Sequence, residues 1–161
     1  MTVDKQVIRA KLERLNEYVA RVEKKRPIPP ELLLTDHDVQ DIVSHNLEKA
    51  VQVCIDIASH VCAVNGRAPQ SAGESFTTLS ELGLIDNDWA SKLVSVVGFR
   101  NISVHEYAQV DWKIVIEVAT SGVGDLRAFG RWAPPAYCLP GLKAAFPNLP
   151  PYQLAVYRST V

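Results

Sequence analysis

Cysteine is scarce. Three residues in 161, Cys54, Cys62 and Cys138, give an odd number with no Cys-x-x-Cys spacing. That excludes a disulfide-stapled scaffold and a thiolate metal knuckle. Cys54 and Cys62 stand eight apart inside an apolar helical pattern, so they are expected to be buried, reduced thiols. Long apolar runs are missing too. The chain opens Met1-Thr2-Val3-Asp4-Lys5 and goes on with apolar residues broken by charges, which predicts neither a leader peptide nor a membrane span. The expected location is cytoplasmic. Nor is there an excess of either charge: 17 Lys and Arg against 18 Asp and Glu leave a net −1. Such a chain has no global field for a polyanion or an anionic membrane, so any contact of that kind must come from local placement of cations or from an oligomeric surface. Glycine-rich phosphate cradles and His/Cys/Asp/Glu sets with metal-ligand spacing are also lacking, so no metal and no cofactor is expected.

What is there is an ordinary globular composition. With 47% hydrophobic and 22% charged residues, a chain of this length builds one domain with a real core. Ile8, Leu12, Leu15, Val19 and Val22 recur at steps of four and three, an amphipathic helix with a coiled-coil-like seam over 3–25. Pro27, Pro29 and Pro30 stop it, and 26–34 reads as an extended connection. A second helix starts at Thr35 or Asp36 and carries a wide stripe: Val39, Ile42, Val43, Leu47, Ala50, Val51, Cys54, Ile57, Ala58 and Val61. His45, Asp56 and His60 are its polar groups of interest. Asp56 and His60 are four apart and share a face, which also suits a structural hydrogen-bonded pair.

Gly66 is placed to cap that helix, and a shorter helical segment follows with Phe76, Leu79 and Leu82 inward. A third long helix is expected from about Asp88 towards Tyr107, with Gly98 in its middle where another backbone would be able to approach. Asp111 should cap a further helix that ends near Gly122 or Gly124. The expected fold class is all-α, an antiparallel bundle of four to five helices over 1–128. Residues 129–161 hold six of the ten prolines among several aromatics, and no helical or strand period is visible there. They read as a proline-rich C-terminal extension that wraps the bundle, covers a partner or has no structure of its own.

The polar side chains concentrate in Arg100-Asn101-Ile102-Ser103-Val104-His105-Glu106-Tyr107. A guanidinium offers a fixed charged fork and an imidazole exchanges protons near neutral pH. A site that binds or cleaves a phosphodiester needs both. At about 100° per residue, Arg100 aligns with Tyr107, and Asn101 with His105, while Arg100 and His105 are about 140° apart. The two stripes converge only if the helix loosens near His105 or a second subunit closes the groove across a two-fold interface. The plain alternative is an ordinary ion pair at Arg100 and a helix-end cap at His105.

The spacing Arg100-x4-His105-x-Tyr107 resembles the Arg-x4-His-x-Tyr signature of HEPN-domain ribonucleases, specifically HepT-like toxins. The segment 38–61 with Asp56-Ile57-Ala58-Ser59-His60 is similar to that family's long second helix, and so are Phe76-x-x-Leu79 and the run from Leu93 to Phe99. The likeness covers roughly residues 4–128 and leaves the tail outside. It implies a dimeric toxin of a toxin–antitoxin pair that cuts RNA without a metal, with Arg100 and His105 catalytic in a cleft between protomers. Asn101 and Tyr107, with Asp56 and His60 on the second helix, would support them. The implied partner is a MntA-like nucleotidyltransferase antitoxin that adds AMP to Tyr107. The competing expectation is a HEPN bundle without nuclease activity that serves as a binding partner of such a nucleotidyltransferase.

Overall fold

A computed structural model describes residues 5–104 and 110–138. It is helical throughout: α1 (Lys5–Lys25), a 3-10 turn (Pro30–Leu34), α2 (His37–Val64), α3 (Ala72–Glu81), α4 (Asn87–Val104), α5 (Trp112–Glu117), a π-helical turn (Val118–Gly122) and α6 (Val123–Cys138). Helix starts are set by side chains that take up unpaired backbone donors. Asp36 accepts from the Val39 amide at 3.0 Å, Ser71 from Glu74 at 3.2 Å, Asp86 from Trp89 at 2.7 Å, and Asp111 from Lys113 at 3.0 Å. The turns after α2 and α3 use Gly66 (φ 72°) and Gly83 (φ 65°), where a side chain would strain the left-handed backbone.

The helices pack with alternating direction. Lys11 on α1 meets Asp56 on α2 at 2.8 Å, and the ends of α1 and α2 joined by the 3-10 turn lie together. Gly130 on α6 lies against Leu15, and Arg127 pairs with Glu23 at 2.5 Å, so α6 runs antiparallel to α1. Gly122 meets Val96, while Trp89 meets both Phe129 and Trp132, so α4 is antiparallel to α6. The core is filled by the stripes the sequence predicts: Leu15, Val19 and Val22 from α1 and Val43, Leu47, Ala50, Cys54, Ile57 and Ala58 from α2 are essentially inaccessible. Cys54 and Cys62 are free, buried thiols; burial pushes Cys54 well above the usual thiol range and raises Cys62 against the opposing pull of Arg67. No described helix is long and apolar enough to cross a membrane.

Four expectations need correction. Residues 30–34 are a 3-10 turn rather than extended chain, because Leu33 must turn inward to be buried, at 1% exposure. Ile42, assigned to the inner stripe, is 37% exposed at the stripe's edge. The helix after Asp111 does not end at Gly122 or Gly124; it continues through the π turn into α6 without a break. A Cβ at Gly122 would stand 3.3 Å from Val96 and 3.1 Å from Val118, so those side chains would have to shift to admit one. Finally, helix persists past residue 128 to Cys138, so the expected boundary falls inside α6. Phe129 and Ala133, both at 0% exposure, anchor it, and the prolines at 134 and 135 withdraw backbone donors while keeping a φ that suits a helix.

Candidate active site at the end of α4

Arg100 lies in the last described turn of α4, half-buried and engaged by neighbouring groups. Phe99 (2% exposed), Val97 (3%) and Val96 (5%) lock this stretch of helix into the core, which fixes where the guanidinium emerges. Asn101 belongs to α4 by its backbone. His105 and Tyr107 lie outside the described residues, and so does the convergence expected of Arg100 with His105.

The surroundings of this helix end are well defined. One turn before Arg100, Val96 packs on Gly122 of the π turn. A π turn widens the helix and disturbs its regular ladder of hydrogen bonds. Here Arg26, the residue following α1, donates from Nη1 to the carbonyls of Ala119 (2.9 Å) and Thr120 (3.4 Å). A charged donor on these carbonyls secures the turn on which α4 rests. Arg100 therefore sits at the end of the bundle that also holds the α1–α2 connection. Arg26 was not singled out from the sequence, and no local pattern could have found it, because its acceptors are 93 and 94 positions away. Asn46 was also passed over. It is 5% exposed on α2, its Nδ2 donates to the Ile42 carbonyl at 2.7 Å, and its Oδ1 has no partner among the described residues.

Asp56 and His60 are placed elsewhere. Asp56 accepts from Lys11 at 2.8 Å and from Gln52 at 2.7 Å, so its two oxygens tie α1 to α2. Lys11 is 15 residues before Arg26, which at the helical rise is about 22 Å from the motif end. His60, one turn further along α2, is half-buried and has interactions of its own. Within one protomer these two groups do not join Arg100. His45 is exposed on α2. Gly98 has nothing within 4 Å of a Cβ position, so among the described residues no backbone uses the access it offers. Among the described residues no three His, Cys, Asp or Glu side chains cluster as metal ligands would.

An antiparallel helical bundle in which a core-locked helix carries Arg100 in its last described turn defines an all-α class, distinct from a Rossmann or barrel enzyme. Residues 8–131 match the family model described as Ribonuclease HepT-like, and the chain belongs to that family. It is 37% identical over 95 residues to the mRNA nuclease HepT of Shewanella oneidensis, a match that covers 58% of this chain and 71% of the relative. The tRNA nuclease HepT of Aphanizomenon flos-aquae is 26% identical over 106 residues, covering 65% and 72%. Among solved structures, a tri-AMPylated Shewanella oneidensis HEPN toxin in complex with its MNT antitoxin superposes with a TM-score of 0.71 at 30% identity, over 77% of this chain and 93% of that one.

Proposed function

We propose that this chain is the toxin of a toxin–antitoxin pair: a ribonuclease that cuts RNA without a metal, as a homodimer, and is neutralised when a MntA-like nucleotidyltransferase adds AMP to Tyr107. The observation that carries the reading is the Arg100-x4-His105-x-Tyr107 motif at the end of a core-locked helix. The similarity to nucleases named HepT and to an AMPylated toxin bound to its antitoxin supports it.

The chemistry follows from the side chains. RNA carries its own nucleophile, the 2′-OH next to the scissile phosphate. His105, with an imidazole whose reference pKa is near about 6.5, takes the 2′-OH proton as that oxygen bonds to phosphorus. The 5′-oxygen then leaves with a proton returned by an imidazolium, giving a 2′,3′-cyclic phosphate and a free 5′-OH. Arg100 stays charged throughout and balances the extra negative charge on the phosphorane oxygens. Asn101 orients the phosphate or the imidazole. On a regular helix Arg100 and His105 would fall on different stripes, so in this reading a second subunit completes the site and a monomer is inert. Tyr107 would fall on the Arg100 stripe. AMP units attached there bring phosphate beside the guanidinium and fill the cleft.

The test is cleavage of RNA by the purified full chain in the presence of EDTA. Arg100→Ala and His105→Ala are each expected to lower the rate by at least about 100-fold while dimer and thermal stability are kept. Tyr107→Phe should keep cleavage and lose AMP incorporation from ATP. An intact chain that neither cleaves RNA nor slows growth would sink the reading, and a His105→Ala variant that loses the dimer would make the histidine structural.

A further inference from the structure

The outer surface of α1 is not symmetric. The helix carries seven Lys or Arg against three Glu, in a chain whose net charge is −1. Two contacts show which flank faces which neighbour. The flank of Asn16 and Glu23 turns to α6, where Gly130 lies near Asn16 and Arg127 pairs with Glu23. The flank of Lys11 turns to α2, through Asp56.

On that second flank the register places Lys11, Arg14, Tyr18, Arg21 and Lys25 within an arc of about 80°, with no acidic residue inside it. Lys49 of α2 borders the same seam, on the face that carries Asp56. The ion pairs among the described residues use Arg9, Lys11, Arg67 and Arg127, and none uses Arg14, Arg21, Lys25 or Lys49. Those four are exposed. The acids that border the seam are Glu17, just outside the arc, Asp56, already held by Lys11 and Gln52, and Asp38 and Asp41 near the Lys25 end. Tyr18, in the middle of the row, is half-buried against the core, so its ring is held in place rather than free in solvent.

We propose that this seam between α1 and α2 is a track for the RNA backbone, with Arg14, Arg21, Lys25 and Lys49 on successive phosphates and Tyr18 as a stacking platform. The inference rests on the ribonuclease reading and extends it from the cleavage point to the path of the substrate. From Lys11 to Lys25 the row is about 21 Å long. It runs towards the end of the bundle where Arg26 secures the π turn and α4 presents Arg100. A strand laid along it is led to the motif. Unpaired long-chain cations in single file around an aromatic ring match a polyanion with stacking bases. The same row explains how a chain of nearly zero net charge gathers a polyanion: the cations are segregated, not in excess.

The experiment uses the full chain carrying His105→Ala, so that RNA is bound and not cut, with Arg14→Gln, Arg21→Gln and Lys25→Gln added together. Affinity for a labelled single-stranded RNA of mixed sequence is measured by anisotropy over a range of NaCl. Loss of three phosphate contacts should weaken binding by at least about tenfold and reduce the slope of log K against log salt by about 2. In the His105 background of the natural chain, the same triple variant should raise KM and leave kcat within about twofold. Arg9→Gln with Arg131→Gln, away from the seam, should change neither. An unchanged affinity and slope overturns the proposal. So does a triple variant that binds RNA normally but loses a nucleotidyltransferase partner, which would assign the seam to a protein. Natural chain that binds RNA with the expected slope yet cuts none refutes the ribonuclease reading and leaves the track standing. The seam and control variants lie at exposed positions, and matched melting temperatures check that all variants fold.

Discussion

The two ends of the bundle are built on different principles. At the end where α3 turns into α4, four aromatic rings interlock. Phe76 meets Phe129 edge-on at 5.5 Å, Phe129 lies 5.0 Å from Trp132, and Trp89 stands 6.2 Å from both Phe129 and Trp132. Trp132 also donates to the Leu84 carbonyl at 3.1 Å, which satisfies its one polar atom. At the end that holds Arg100 the described residues form no such knot. Small and polar parts do the holding: a glycine under Val96, a π turn, and one guanidinium across two carbonyls. Apolar side chains are left outside there, with Ile28 at 93% exposure and Leu32 and Leu34 near half. With the proposed site at the end of α4, stability is concentrated at one end and chemistry at the other, so a site that must admit substrate is spared from having to be the densest part of the core.

Four substitutions test this division, in decreasing order of effect. Phe129→Ala removes the ring shared by the whole cluster and should cost about 3–5 kcal/mol in denaturant unfolding, while the molecules that remain folded cleave RNA at the normal rate. A loss of specific activity equal to the loss in stability would mean that the ends are not separable. Arg26→Gln takes a charged donor from the π turn and should cost about 1.5 kcal/mol, but here activity should fall further than stability, because the turn carries α4 just ahead of Arg100. Equal activity in the folded fraction would make Arg26 a plain structural tie. Gly124→Ala, with nothing within 4 Å of the added methyl, should stabilise the helix by about 1 kcal/mol. Gly122→Ala should give no such gain, since Val96 and Val118 must move. If both glycines behave alike in thermal melts, the π turn is not tightly held.

The sequence was informative where structure follows from periodicity. The α1 stripe, the α2 stripe apart from Ile42, the cap at Asp111 and the terminating Gly66 are all decided within a few residues of where they act and appear as read, and of the two caps offered for α2 the structure uses Asp36. It misled where local breakers were outvoted by distant packing. Gly122 and Gly124 look like a helix end, and Pro134 and Pro135 like the start of a coil. Burial of Leu126, Phe129 and Ala133 carries the helix past both pairs. The motif itself was legible because its residues are near one another in the chain. Its supports were not. Asp56 looked like a partner for His60 because four residues separate them, whereas Lys11, 45 positions away, holds it.

The bond between Arg26 and the π turn has a consequence in time. The motif is complete once Tyr107 has been added to the growing chain, but the carbonyls that Arg26 binds belong to residues 119 and 120. A ribosome needs on the order of a second to cover that gap, and longer before α6 emerges to pack on α1. Until then α4 has neither the turn beneath it nor the helix that orients that turn. On the proposed function, a nascent chain thus carries Arg100, His105 and Tyr107 before it has the turn on which α4 rests, an order of assembly that would spare its own message and ribosome.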